Sequence, residues 1–161
     1  MQVILVLETR SSAKTDYQYV KTAFDYFYGR AAQLSKVFAK CKSELIKQDK
    51  NISEKKKRYS GESIVVVVSD YDRENDVLNA QITKYCKENG YELIWMNLDI
   101  EEVFLGFQVS DRLKTKTATE FLRKKDNNLG SNKNLSSEDP LKSHPSSNYL
   151  KVFDKYFKRI T

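Results

Sequence analysis

The sequence predicts an α/β fold, a largely parallel sheet flanked by helices, and three observations carry that prediction. Two uninterrupted apolar runs, Val3-Ile4-Leu5-Val6-Leu7 and Ile64-Val65-Val66-Val67-Val68, lack the polar alternation of a half-exposed strand and are rich in β-branched residues. Strands buried on both faces read this way. The second run is followed by a helical pattern and then by a third strand over residues 91–96, at the spacing of a βαβ unit. The length, 161 residues, suits one compact domain.

After the first strand comes a polar loop, residues 8–14. Thr15 or Asp16 then caps a helix whose apolar positions Val20, Ala23, Phe24 and Phe27 recur at helical spacing, with Gly29 as its stop. Residues 34–39 read either as a strand or as a helix continuing toward Ile46, because short apolar runs fit both periods. Residues 47–58, with Lys55-Lys56-Lys57-Arg58 together, hold few apolar positions and read as the tail of an exposed helix or a loop with a solvated face. A helix with Leu78, Ile82, Tyr85 and Cys86 on one face ends at Asn89-Gly90. Residues 100–107 and 117–125 are expected to form two more helices.

Both prolines, Pro140 and Pro145, fall in residues 126–147, an Asn-, Ser- and Lys-rich stretch that reads as a long mobile polar loop. Leu150, Phe153, Phe157 and Ile160 give residues 149–160 the apolar stripe of a docking helix. The expected organisation is therefore a core over 1–125, a loop over 126–147 and a C-terminal helix within 148–161.

Hydrophobic residues make up 40% of the chain, enough to exclude wholesale disorder. No apolar stretch approaches the roughly 20 residues that cross a bilayer, and the N-terminal run lacks the basic flank and cleavage site of an export signal. A soluble, unexported protein without a membrane partner is expected. Cys41 and Cys86, without a CxxC or a neighbouring histidine, fit neither a disulfide framework nor a zinc site, so a reducing cytoplasm is the expected location. The net charge of +6 is mild for this length and serves a polyanionic partner or simple solubility equally well.

In open parallel sheets, ligands bind beyond the carboxyl ends of the strands, and this sequence places acids there. Glu8 directly follows the first run; Asp70, Asp72 and Glu74 follow the second. With neighbouring strands these carboxylates meet at one end of the sheet. A carboxylate cluster suits a hard cation, Mg²⁺ or Mn²⁺, and such ions support phosphodiester cleavage without a histidine. The plainer reading is that Asp70, Asp72 and Glu74 cap the next helix, which leaves Glu8 on its separate strand unexplained. Neither a Walker loop nor a GxGxxG is present. Ser11 and Ser12 read as loop residues rather than nucleophiles, and His144, the sole histidine, reads as a solvent-exposed loop residue.

Glu8 at the end of the first strand, Asp70-x-Asp72 at the end of a later one and the βαβ arrangement around them resemble the TOPRIM (topoisomerase-primase) domain. Asn97-Leu98-Asp99-Ile100-Glu101-Glu102-Val103-Phe104-Leu105 is similar to the Asn-Pro-x-Phe-Glu-x-Trp-x-Leu segment of the RloB/Abi-like branch, which is linked to phage defence. His144-Pro145-Ser146-Ser147-Asn148 is similar to that branch's Asn-Pro-Ser-Thr segment. The resemblance implies a small Rossmann-like fold and a Mg²⁺-dependent nuclease or nuclease-like module acting on DNA or RNA. Glu8 would be the general acid/base or a metal ligand, Asp70 and Asp72 metal ligands, Glu74 a further acid and Glu101 an accessory acid. Thr9 stands where TOPRIM domains usually carry Gly, and Leu98, Val103 and His144 replace the Pro, Trp and Asn of the two segments. Thr9 favours the alternative of a non-catalytic nucleic-acid-binding or regulatory subunit, with a separate ATPase as partner, while the other three departures bear on the branch alone.

Arg10 and Lys14 make sense as phosphate contacts beside the acids. Residues 112–133 hold seven basic side chains, including Arg123, Lys124 and Lys125, against Glu120 and Asp126. That segment suits a polynucleotide backbone, or else is a solvated face.

Overall fold

The computed structural model describes residues 1–8 and 15–161. Strands β1 (Gln2–Glu8), β2 (Gln33–Ala39), β3 (Ser63–Tyr71) and β4 (Glu92–Asn97) form one sheet in the order β2-β1-β3-β4, and each neighbouring pair is parallel. Residues 34–39 are thus a strand, and the chain continues past Ala39 into a 3-10 helix over Lys42–Lys47. The two runs of β-branched residues occupy the interior of the sheet, with Val3↔Ile64 and Leu7↔Val68 in register.

Strand alternation divides the core into two layers. Val3, Leu5, Leu7, Val66 and Val68 face α1 (Thr15–Tyr28), α4 (Ile100–Leu105), α5 (Lys114–Arg123), α6 (Lys125–Gly130) and α7 (Tyr149–Phe153). Ile4, Val6, Val65 and Val67 face the 3-10 helix, α2 (Asp49–Lys57) and α3 (Asp76–Asn89), through Leu45, Ile52, Ile82 and Cys86. The first layer is aromatic: Tyr19, Phe104 and Phe121 pack with centroids 4.8–5.7 Å apart, and Tyr149 continues the stack to Phe153. Edge-to-face and offset contacts of this kind add to the burial of the rings themselves. Among the described residues, no helix is long and apolar enough to cross a membrane.

Helix ends follow local chemistry. Gly90 closes α3 in the left-handed region at φ +66°, as Asn89-Gly90 predicts. Gly106, at φ +82°, closes α4 earlier than the expected end at residue 107. The segment α5 begins at Lys114 instead of 117. At the C-terminus the helix over 149–160 is replaced by the single short α7, because tertiary ties override the apolar stripe. The Tyr28 hydroxyl donates to Asp154 and the Ile160 amide to the Phe27 carbonyl, and Ile160 ends 68% exposed.

Residues 126–147 depart most from expectation. They hold α6 and a 3-10 turn over Asn134–Ser136, and they run back as a strap along β4, the edge strand of the sheet. Met96 bridges Ser147, the Asn97 amide donates to the Ser146 carbonyl, and Asn148 pairs by its side chain with both the Trp95 amide and the Leu93 carbonyl. The side chain of Asn97, fully buried, donates to the carbonyls of Pro140 and Ser143. Asn and Ser, read from composition as loop formers, here serve as backbone partners that cover an open sheet edge.

Replacing Asn148 by Ala strips two backbone groups of β4 of their partners, one of them on the largely buried Trp95. Urea denaturation is expected to show a loss of roughly 1–3 kcal/mol. Asn148→Asp, which still accepts from Trp95, should fall between the two.

Candidate functional site

The order β2-β1-β3-β4 reverses direction between β1 and β3: the chain moves from β1 outward to β2, then crosses back past β1 to β3. At such a switch point the loops leaving the two strands part in opposite directions and open a crevice at their carboxyl ends. A cleft of about 520 Å³ lies there, and Glu8, Asp16, Asp70, Asp72, Asp99, Glu101 and Asp111 line it together with Lys114. The expectation that Glu8, Asp70 and Asp72 share one end of the sheet is met, and Glu101 joins them.

Each acid arrives by a different route. Glu8 is the last residue of β1 and Asp70 lies near the end of β3. Asp16 stands in the first turn of α1, while Asp99 caps α4, its carboxylate accepting the Glu102 amide at 2.8 Å. Glu101, on the first turn of α4, is 1% exposed. Lys114, 3.5 Å from Glu101 and 3.6 Å from Asp111, brings positive charge to this wall. From the other side the nearly buried Lys42 donates to the Asp70 carbonyl at 2.7 Å and lies 3.5 Å from the Asp72 carboxylate.

Burial raises the proton affinity of Asp16, Asp70 and Glu101, and the positive charge of Lys114 does not cancel it. Burial, with Glu101 second, pushes Asp16 up to about 7; Lys114 pulls the other way and loses. Burial likewise raises Asp70 well above the usual carboxylate range, reinforced by Asp16, Asp99, Glu101 and Asp72. Glu101 is raised by burial against the pull of Lys114, and its Oε1 is buried without a hydrogen-bond partner. The buried Tyr19 hydroxyl beneath these acids also lacks a partner, and burial followed by the charges of Glu101, Asp16 and Asp99 raises it further. Orphaned oxygens and crowded carboxyls are the features a hard cation relieves, and the all-oxygen donor set fits Mg²⁺ or Mn²⁺. Among the described residues, however, no three acidic, histidine or cysteine side chains converge closely enough to hold an ion as they stand. Strand parity gives one reason: Glu8 continues the Val6 side of the sheet and Asp70 the Val68 side.

Other expected site residues lie elsewhere. Glu74 lines a neighbouring cavity of about 570 Å³ with Asp72, Arg73, Asn75, Leu98 and His144, so the structure does not bring it into the cleft. Asn75 precedes α3 and makes no side-chain cap hydrogen bond to it, and Asp76 is the acid in its first turn. Arg123, Lys124 and Lys125 are exposed and line neither cavity. Thr9, Arg10, Ser11, Ser12 and Lys14 lie outside the described residues. The sequence offers Asp16 only as a helix cap, Lys114 only as one of the basic side chains of residues 112–133, and Asp99 and Lys42 no role. The rule that selects Glu8 and Asp70, acids just past a strand, also selects Asp99 after β4.

The chain matches no protein-family model and no curated protein. Among solved structures it is similar to a de novo designed Rossmann fold protein, at 12% identity over 75% of this chain and 98% of that one, with a TM-score of 0.35. The α/β class rests on the parallel sheet itself.

Asp16 ionises near 3.8 in an unfolded chain and near 7 in the folded one, so the folded state holds an extra proton between those values. The stability this contributes is complete below 3.8 and gone above about 7. In cation-free buffer Asp16→Asn should therefore be more stable than wild type at pH 8, by roughly 1–2 kcal/mol once the remaining solvent screening of this largely buried group is allowed for. Thermal melts across pH 4–8 should show the gap opening as pH rises; a gap that widens toward low pH would contradict the assignment.

Proposed function

We propose that the protein is a divalent-cation-dependent phosphodiesterase of TOPRIM type, a nuclease-like module acting on DNA or RNA in the cytoplasm. The observation that carries this reading is the cleft at the β1/β3 switch point, where carboxyl groups outnumber the single lining cation, Lys114, and a buried Glu101 oxygen is left unpaired. Glu8, Asp70 and Asp72 would hold the cation, with Glu101 as accessory acid. A bound Mg²⁺ or Mn²⁺ supplies an activated water and charge stabilisation for the leaving oxygen.

The chain's own groups do the rest. Lys42 ties the end of β3 by donating to the Asp70 carbonyl and offsets part of the Asp72 charge. Lys114 keeps Glu101 partly compensated. Asp16, which exchanges its proton near neutral pH, is suited to proton transfer at the reacting phosphate, a role that efficient acid–base catalysis gives to groups titrating near the working pH. The exposed Arg123, Lys124 and Lys125 would track the flanking phosphates. A regulatory subunit without turnover, working beside a partner ATPase, is the second reading, and it is favoured by the lack of three converging acids among the described residues.

Cleavage of single- and double-stranded DNA and of RNA, assayed with Mg²⁺ or Mn²⁺, should fall by orders of magnitude in Glu8→Gln and Asp70→Asn and vanish with EDTA. Activity that persists in EDTA would exclude this mechanism. Cation binding without cleavage of any substrate would favour the regulatory subunit.

Neutralising Arg123, Lys124 and Lys125 together should weaken binding to all sequences alike. The slope of log affinity against log salt should flatten by roughly 0.7–0.9 for each phosphate that is no longer neutralised. Equal slopes for wild type and the triple variant would leave this segment as solvated surface.

A further inference from the structure

The basic run Lys55-Lys56-Lys57-Arg58, which reads from the sequence as the tail of an exposed helix or a loop, is the last turn of α2 and its cap; the Arg58 amide bonds back to the Lys55 carbonyl. Helices α2 and α3 lie on the same side of the sheet, through Ile52 and Ile82, and each leads back into a parallel strand, β3 or β4. Both therefore run against the strands and finish at the amino ends of the sheet. The nine residues of β3, at roughly 3.3 Å each, separate this end from the acidic cleft by about 30 Å. Lys87, in the last turn of α3, adds its charge here.

Helix ends alone do not account for the run. The C-terminus of a helix carries about half a negative charge, which one cation offsets, and here four cations follow one another. Among the described residues Lys55, Lys56, Lys57 and Arg58 form no ion pair; of the acids at this end, Glu88 faces Lys84, while Glu54 and Glu62 pair with no cation. The fold also sets aromatic rings among these charges. Lys56 Nζ lies 5.3 Å from the ring centroid of Tyr91, the residue that leads into β4, and Tyr91 meets Tyr85 of α3 edge-to-face at 5.6 Å. The Tyr85 hydroxyl donates to Asp49 at the start of α2, which ties the two helices together. Tyr59 follows Arg58 directly and lays its ring against Gly61, where a Cβ would stand 2.9 Å from it. Tyr59, Tyr85 and Tyr91 are all half-exposed.

We propose that this end of the sheet is a binding surface for single-stranded nucleic acid: Lys55, Lys57 and Arg58 take the phosphates, and Tyr91 and Tyr59 offer planes on which bases stack. Unneutralised cations alone would accept any polyanion, a duplex included. Half-exposed rings among them favour a strand with free bases, because stacking needs an unpaired face and tolerates every base. Lys56 is exposed, and it swings from the Tyr91 ring to a phosphate as a base takes its place. The surface is separate from Arg123, Lys124 and Lys125, whose helix packs on the opposite side of the sheet. It goes beyond the cleft chemistry and does not depend on it.

The test is fluorescence anisotropy with labelled oligothymidylate and oligouridylate of about 15 nucleotides, and a duplex of equal length, in EDTA at several salt concentrations. Wild type is expected to bind the single strands at least about fivefold tighter than the duplex, the tighter of the two strands naming DNA or RNA as the source. Lys55→Gln/Lys57→Gln/Arg58→Gln should flatten the slope of log affinity against log salt by roughly 0.7 for each phosphate lost, about two in all. Tyr91→Leu should weaken binding at least about fivefold with the slope unchanged, and Tyr91→Phe, which keeps the plane, should bind as wild type does. Should Tyr91→Leu fail to fold, Tyr59→Leu, on the ring beside the run, is read in its place. No binding of either strand, equal affinities for strand and duplex, wild-type affinity in the triple variant, or binding confined to vesicles of anionic lipid would overturn the proposal. A loss seen only on neutralising Arg123, Lys124 and Lys125 would overturn this surface and leave the function proposed above standing. Oligonucleotide binding with these dependences, but no cleavage with Mg²⁺ or Mn²⁺, would overturn that function and support this surface.

Discussion

The parallel pairing of β1 with β3 is the constraint from which the rest of the structure follows. Two strands that are apolar on both faces must lie inside the sheet, and helices must cover each side of them. With β2 on one flank and β4 on the other, the chain reverses its direction of travel between β1 and β3, and the crevice this opens cannot be closed by a crossover helix. The acids are therefore where they are for a topological reason: Glu8 and Asp70 end the two central strands, Asp16 begins the helix that leaves β1's side, and Asp99 and Glu101 begin the helix after β4.

Holding these acids together is unfavourable, and structure elsewhere in the protein restrains them. Like charges in a half-dry cleft raise one another's proton affinity, and two lysines are too few to offset them. The strap over residues 126–148 supplies part of the restraint. It satisfies the outer edge of β4 through Asn148 and Ser147, and it anchors the turn at Leu98 through Asn97 and His144. Edge protection and cleft geometry are thus served by one segment.

What could be read from the sequence was whatever declared itself locally. The β-branched runs announced the buried strands, the glycine after Asn89 announced the end of α3, and acids just past strand ends announced the cleft. The strap could not be read in this way. Its order comes from side chains of Asn97, Ser146 and Asn148 that find backbone partners up to 55 residues away, and composition shows such residues only as loop formers. Asp16 was hidden for a related reason: an acid in the first turn of a helix has a sufficient local explanation, and only the fold reveals that its carboxyl also faces Glu101. His144 read only as an exposed loop residue within a resembling segment, because its closeness to the Asn97 carbonyl and to Glu102 arises only in the fold.

At the β1/β3 switch point burial, and after it the neighbouring carboxylates, raises Asp16 and Asp70, and a divalent cation bound there would lower them again. Carbon-13 NMR of the side-chain carboxyls, titrated from pH 3 to 9, tests this directly. Asp16 should titrate with a midpoint near 7 in cation-free buffer, and that midpoint should move down by roughly a unit or more when Mg²⁺ is added. A midpoint near 4 without cation, or one that Mg²⁺ leaves in place, would contradict the crowding and its relief.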